Sequence, residues 1–487
     1  MFSRTLVGMV MILVAAPLFA QGHWSQFRGP GGRGLAVGAQ SLPTTFGPTE
    51  NLVWKQAVSR GHASPCIRDD RVFIAGEQDG TFEARCFDRR TGKLLWERAE
   101  AIEKTERMHR LNGLASSTPV ADEERVYFYC GSFGLRCFSH DGKDLWRHEV
   151  SLRKNTFGTA ASPILAGGRL ILNRDTNDES WCMALDPKTG KVLWRKDRTG
   201  FPSGWSTPTV WKNGDVDELL VYGAFRLTAY DVKDGAERWS VPGLADEPCI
   251  TPVTGDGLVF VSSYNMRTNP EVIGLPTYDK LLEDYDKDGN GKLSREEVKS
   301  NQSILSRLDA DGEGDHPLRG FFRWLDKDRS GELDAKEWGK MAAWLETFKH
   351  ANACVAIRPG DGKDKPAEIA WQFGRGVPEV PSPLYCDGRI YLIKNGGLFT
   401  CLDAKTGTQH YQGRIGSRGP YYASPLAGDG KIYTASARGV ITVLKAGGEK
   451  IEVLARNDLG ERIMSTPALL DGRIYVRTEK ALYVFGE

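Results

Sequence analysis

A unit of about forty-four residues recurs along this chain, and that periodicity constrains the fold more than any other feature. Each unit opens with Ser-Pro or Thr-Pro, at Ser64-Pro65, Thr118-Pro119, Ser162-Pro163, Thr207-Pro208, Thr251-Pro252, Ser382-Pro383, Ser424-Pro425 and Thr466-Pro467. A repeat of this length means stacked supersecondary units that cannot bury their apolar faces singly. Short β-rich runs follow the openings, such as Arg71-Val72-Phe73-Ile74, Arg125-Val126-Tyr127-Phe128 and Arg389-Ile390-Tyr391-Leu392. The closing halves read CFDRRTGKLLW ending at Trp96, ALDPKTGKVLW at Trp194, AYDVKDGAERW at Trp239 and CLDAKTGTQHY at Tyr411, with a shorter CFSHDGKDLW at Trp146. Asp and Gly there make a tight hairpin turn, and the aromatic residue ends up on an outer strand, free to pack on the next unit. Four short strands every forty-odd residues define a propeller blade.

Eight openings predict eight blades. The last unit ends at Ala481-Leu482-Tyr483-Val484-Phe485 without an outer Trp strand, whereas Asn51-Leu52-Val53-Trp54-Lys55 reads as an orphan outer strand. The expected architecture is therefore an all-β, eight-bladed propeller closed by the N-terminal strand, which leaves no broad sheet edge exposed. The pattern A-x-D-x-x-T-G-x-x-x-W, complete or nearly so in blades 1, 3, 4 and 6, resembles the tryptophan-docking motif of the pyrroloquinoline quinone (PQQ) repeat propellers. The likeness covers about 51–263 and 351–487. Blades 5, 7 and 8 depart from the closing motif, and there the count rests on the Ser/Thr-Pro openings. His23-Trp24-Ser25-Gln26-Phe27-Arg28-Gly29-Pro30 is also similar to the segment that opens many secreted proteins of this repeat class. The resemblance implies kinship with quinoprotein alcohol dehydrogenases and with the outer-membrane assembly lipoprotein.

Residues 1–20 read as a secretory signal peptide, with Arg4 before an apolar run too short to span a bilayer and a possible cleavage site after Ala20. Residues 21–50 form a leader segment. The expected location is periplasmic or secreted, with no stable membrane anchor. Lys and Arg total 64 against 63 Asp and Glu, so no basic surface argues for a nucleic-acid partner. Of nine Cys, Cys86, Cys137 and Cys401 occupy a repeat position filled elsewhere by Ala184 and Ala229, the pattern of a small buried hydrophobe. Cys130 and Cys137 could face each other across one hairpin and form a disulfide.

Between Thr251 and Ser382 the repeat is interrupted, and residues 264–350 form an insertion in blade 5 enriched in acidic residues and helix formers. It contains DKDGNGKLSREE, Asp286 to Glu297, and DKDRSGELDAKE, Asp326 to Glu337. Both match the EF-hand calcium loop. Asp286, Asp288 and Asn290 supply side-chain oxygens, Gly291 permits the sharp turn, Lys292 offers its carbonyl, Ser294 acts through a water, and Glu297 binds bidentately. The second loop places Asp326, Asp328, Ser330, Gly331, Glu332, Asp334 and Glu337 in the same roles. Leu293 and Leu333 are expected to pair between the loops, and helices are expected over Tyr278–Tyr285, Glu296–Leu308, Leu318–Leu325 and Lys336–Phe348. The acidic run Asp309–Asp315 lacks the twelfth-position Glu and reads as a linker. Two calcium ions are the expected cofactors.

Propeller ligands gather at the channel mouth, on loops that lead into the innermost strands. Here those loops carry His62, Arg110, Asn112, Trp205, Glu247, Arg375, Glu379, Arg418, Tyr421 and Arg462. Such a ring suits an anionic or sugar-like ligand, while a merely solvated rim is the plain alternative. The quinoprotein dehydrogenases hold PQQ between a Trp and an adjacent Cys-Cys ring, and this chain has no adjacent Cys pair. PQQ is therefore not expected. The favoured reading is a non-catalytic, monomeric binding or scaffold module for an extracytoplasmic protein, peptide or glycan. The alternatives are a PQQ-dependent dehydrogenase, and a polysaccharide-active enzyme using Glu247 and Glu379 as paired carboxylates.

Overall fold

The computed structural model describes residues 22–37, 41–109, 111–155, 157–202, 204–264, 276–298, 318–346, 352–362 and 365–486. The signal-peptide segment, Arg110 and the acidic run at 309–315 lie outside them, as does most of the helix expected over Glu296–Leu308. The described chain forms eight four-stranded antiparallel sheets, an eight-bladed β-propeller. Blade 1 consists of Cys66–Arg68, Arg71–Gln78, Thr81–Asp88 and Leu94–Ala101, and the others repeat that order. In the eighth sheet, Ala468–Leu470, Arg473–Arg477 and Ala481–Gly486 come from the C-terminal part, and the outermost strand is Leu52–Ala57. In the fifth, Leu258–Ser263 pairs with Ala353–Arg358, so the chain leaves and re-enters between Ser263 and Ala353, which face each other in register.

The Ser/Thr-Pro openings prove to be a fastening. The Thr118 hydroxyl accepts from the Ser64 amide at 3.0 Å, the Ser162 hydroxyl from Thr118 at 2.9 Å, and the Thr207 hydroxyl from Ser162 at 3.0 Å. The same link joins Thr251 to Ser382, Ser382 to Ser424 and Ser424 to Thr466. At six of the eight junctions a blade thus satisfies a buried amide of the blade before it, which answers why a short hydroxyl residue recurs at a buried position. Arg477 adds a longer clasp from blade 8 to blade 1, donating to the carbonyls of Ala63, Ala75 and Ser59.

The outer Trp residues dock as the spacing predicts. Trp54, Trp96, Trp146, Trp194 and Trp371 lie against Gly92, Gly142, Gly190, Gly235 and Gly407 of the next blade. Each indole N–H donates to a carbonyl of that turn, Arg89, His140, Pro187, Val232 and Ala404 in order. A β-bulge just before the aromatic position recurs in all eight blades. Bulges twist an edge strand away from pairing with other molecules. The residue between each Trp and the second strand is small: Cys86 sits between Phe73 and Trp96, Cys137 between Tyr127 and Trp146, Ala184 between Ile171 and Trp194. All nine Cys are free. The disulfide considered between Cys130 and Cys137 does not form, because Cys137 faces Tyr127 across the hairpin while Cys130 caps the turn at Gly131–Phe133.

Trp239 is the exception among the docking positions. Blade 5 has a longer loop at 359–367 in place of the tight turn, so Trp239 finds no glycine and donates instead to the buried Glu218 carboxylate at 2.9 Å. Trp211 and Asn213 bond the same oxygen, and Arg238 pairs with the other at 2.7 Å. Gly142→Ala is expected to destabilise the protein by about 2 to 4 kcal/mol, from a left-handed backbone and a displaced indole. The new Cβ would stand 2.7 Å from the Trp96 ring at φ +80°. Urea denaturation measures this, and a loss under about 1 kcal/mol would show the dockings to be dispensable.

The leader is woven into the ring. Trp24 bridges Ile67 of blade 1, the Ser25 carbonyl accepts from Ala121 of blade 2, and Arg28 donates to the Pro383 carbonyl at the root of blade 6. Leu35 and Val37 then pair with Ala427 and Leu470 of blades 7 and 8. These partners lie on the innermost strands or at their openings, so the leader runs along the channel side of the ring.

Candidate metal loops and channel mouth

Among its described residues the insertion has two acidic loops and three helices, α1 (Tyr278–Tyr285), α2 (Leu318–Leu325) and α3 (Ala335–Glu346). Thr277 caps α1, its hydroxyl accepting from the Lys280 amide. Leu281, Leu293, Val298, Leu318, Phe322, Leu325, Leu333, Trp338 and Met341 form a separate small core beneath the loops. Leu293 pairs with Leu333 in a short antiparallel ladder, as the loop spacing predicts. This ladder puts the two loops side by side.

One carboxylate oxygen from each of Asp286, Asp288 and Glu297 lies within 4.8 Å of the others, and Asp326, Asp328 and Glu337 do the same. Both clusters could hold a metal ion. Gly291 and Gly331 take φ +76° and +83°, the left-handed turn that position six demands. Backbone amides shape each loop: Asp286 accepts from Gly289 and Gly291, and Glu297 from Lys287 and Ser294. Those amides, Ser294 first, pull the Glu297 carboxyl down to about 2. Asn290 accepts from the Lys292 amide through its side-chain oxygen, and the Ser330 hydroxyl donates to the Glu332 carbonyl at 2.9 Å. Glu332 reaches across to the first loop, pairing with Lys292 at 3.2 Å and accepting from Asn290 at 3.3 Å. The donor set is hard oxygen throughout, which suits calcium or a similar hard cation.

Strands alternate in direction, so the turn joining the second and third strands of a blade lies on the same face as the loop entering its first strand. The insertion therefore leaves blade 5 on the mouth face. Among the mouth residues, several prove to be committed internally. Asn112 donates to the Phe157 and Thr159 carbonyls. The Trp205 indole donates to the Gly158 carbonyl at 2.6 Å and packs edge-on to Phe157 at 5.2 Å. Tyr421 is a core residue and not a rim residue, 1% exposed, with its hydroxyl on the Ser417 carbonyl. The loop that carries it folds inward, with the Tyr421 amide on the Asn395 side chain.

His62 is partly buried, and burial together with Arg477, Arg60 and Arg462 lowers its pKa to about 4, so it is neutral at pH 7. Glu247 and Glu379, in different loops, both lie near the partly exposed Cys249, whose thiol is pushed up first by burial and then by these carboxylates. Arg375, Arg418 and Arg462 are exposed. Their spread around three loops gives the mouth a cationic rim.

A PQQ-repeat propeller with a helical, acid-looped insertion is the class these features define. The family described as outer membrane protein assembly factor BamB matches residues 46–204 and 178–310, and the chain belongs to that family. Solved structures share the fold at low identity. BamB from Moraxella catarrhalis is 11% identical with a TM-score of 0.50, covering 89% of this chain and 98% of that one. Quinohemoprotein alcohol dehydrogenase from Comamonas testosteroni is 12% identical, TM-score 0.53, covering 95% and 80%. A europium-containing methanol dehydrogenase is 11% identical, TM-score 0.51, covering 96% and 98%. No curated protein matches the chain. Among the described residues, no helix is long and apolar enough to cross a membrane.

Proposed function

We propose that the protein is an exported, calcium-binding scaffold propeller whose mouth face recruits an extracytoplasmic protein, peptide or glycan carrying acidic groups. Residues 1–20 direct export, 51–263 and 351–487 make the propeller, and 264–350 make an EF-hand pair. Asp286, Asp288, Asn290, the Lys292 carbonyl and Glu297 hold one calcium ion. Asp326, Asp328, Ser330, the Glu332 carbonyl and Glu337 hold the second. The observation that carries the non-catalytic reading is the internal engagement of the mouth: Asn112, Trp205 and Tyr421 are spent on loop carbonyls, while the exposed groups are Arg375, Arg418 and Arg462. A flat quinone needs an open aromatic face, and Phe157 packs edge-on to Trp205. An assembly-factor family description agrees with a role in holding other proteins.

Glu247 and Glu379 sustain an enzymatic second reading, since both approach Cys249 from neighbouring loops. One titration tests the dehydrogenase alternative. Purified protein mixed with calcium and PQQ is expected to show no saturable change in quinone absorbance and no dye-linked alcohol oxidation. Stoichiometric PQQ binding with turnover would replace the scaffold by a dehydrogenase.

A further inference from the structure

Four arginines, Arg28, Arg174, Arg198 and Arg477, rank among the largest fully buried side chains. Three of them have carboxylates close by. Arg198 pairs with Asp175 at 2.8 Å and Arg174 with Glu106 at 3.6 Å, while Arg477 donates to three carbonyls, burial lowering its pKa and Glu77 and Glu83 raising it. Arg28 has no such neighbour. It is 0% exposed, no acidic group among the described residues pairs with it, and burial is the sole influence on its pKa. That burial leaves it at about 9, so it is still a cation at pH 7. A buried charge without a partner is among the costliest features a fold can carry.

Hydrogen bonds within the protein use only part of this group. Nη2 donates to the Pro383 carbonyl at 2.8 Å, while Nε and Nη1 find no partner among the described residues. The buried hydroxyls of Thr209 and Thr251 find none either, and both residues face the same stretch of leader: a Cβ at Gly32 would stand 3.1 Å from Thr209 Oγ1 and 3.6 Å from Thr251 Cγ2. Every one of these groups can donate, so the region calls for an acceptor, and the cation calls for a negative one. The backbone is shaped around the guanidinium. Five of the seven residues from Arg28 to Gly34 have left-handed φ, and Arg28, at +60°, is the one that is not glycine. Glycine would sit there without strain, so the position is held by arginine for its side chain. A Cβ at Gly34 would stand 3.0 Å from Nη2 and 3.3 Å from Nε, so glycine there leaves that edge clear. We propose that the Arg28 guanidinium holds a chloride ion, buried between the leader and the roots of blades 4 to 6. One negative charge balances one guanidinium, whereas a sulfate, with two charges and four oxygens, needs more donors. The ion would fasten the leader to the ring, and the site uses neither the acidic loops nor the mouth residues.

Thermal melting of the full chain in sodium chloride against sodium gluconate, at fixed ionic strength, reads the site in solution, and anomalous diffraction from crystals kept in bromide locates it. Chloride at about one hundred times its dissociation constant is expected to raise the melting temperature by about 2 to 3 °C. Gluconate is too large to enter a buried site. Arg28→Gln keeps a donor for the Pro383 carbonyl but carries no charge, and it should melt alike in the two salts. Bromide should give an anomalous peak beside Arg28 Nε or Nη1. Equal melting of wild type in chloride and gluconate overturns the proposal, as does a chloride response that persists in Arg28→Gln. Density at Arg28 without anomalous signal means water there and overturns it too, and bromide peaks confined to the surface mean an adventitious ion only. Should Arg28→Gln fail to fold, the bromide map on wild type decides.

Discussion

Trp24→Ala is expected to destabilise the propeller by about 3 to 5 kcal/mol, and removal of residues 22–37 to prevent recovery of a soluble fold. Trp24 is 0% exposed, its ring packs on Gly29, and its backbone exchanges two hydrogen bonds with Ile67. Arg28 is equally buried and donates to the Pro383 carbonyl, and desolvation lowers its pKa to about 9. The leader therefore contacts blades 1, 2, 6, 7 and 8. Its loss would uncover Ile67, Leu384, Ala427 and Leu470 at once. Guanidinium denaturation of Trp24→Ala and size-exclusion of the truncated chain measure the effect. A folded, monodisperse truncation would show the leader to be an accessory.

Replacing Glu297 and Glu337 together by Gln is expected to abolish the calcium-dependent rise in the melting temperature of the insertion. Each Glu is the residue that can bind bidentately, and in each loop it also accepts the amide of the second loop residue, Lys287 or Lys327. A neutral amide side chain keeps the size but loses the charge and one acceptor oxygen. A site at one hundred times its dissociation constant contributes about 2.7 kcal/mol, so the double variant should lose stability in calcium and change little in chelator. Single variants should each remove part of the gain, with the remaining site weakened because Glu332 ties the loops together. Circular dichroism of the helices and calorimetry measure this. Equal melting temperatures for wild type and double variant in calcium would end the structural role of the ion.

Much of the fold was legible because its determinants are local. The turn Asp186 to Gly190 and the docking Trp194 sit within one repeat, and their spacing alone implies a hairpin with an aromatic on its outer strand. The two loops are legible for the same reason, since twelve consecutive residues carry all three carboxylates of each acidic cluster. The mouth was less legible. Tyr421 lies in a loop that reads as surface, yet its hydroxyl finds Ser417 and its amide finds Asn395. Trp239 fits the docking motif but for Asp234 in place of Thr, and what diverts it is the length of a loop more than a hundred residues later.

By itself, then, the sequence determined the repeat, the number of blades, the place of the insertion and its acidic loops, because periodicity and turn chemistry act over neighbouring residues. Only the tertiary structure decided that the Ser and Thr before proline fasten blade to blade, that the leader bonds to blades 1, 2, 6, 7 and 8, and that Phe225 stands exposed in a left-handed turn. Those outcomes depend on which distant strands meet, and a hydrogen bond between Ser64 and Thr118 or Arg28 and Pro383 exists only once the ring has brought them together.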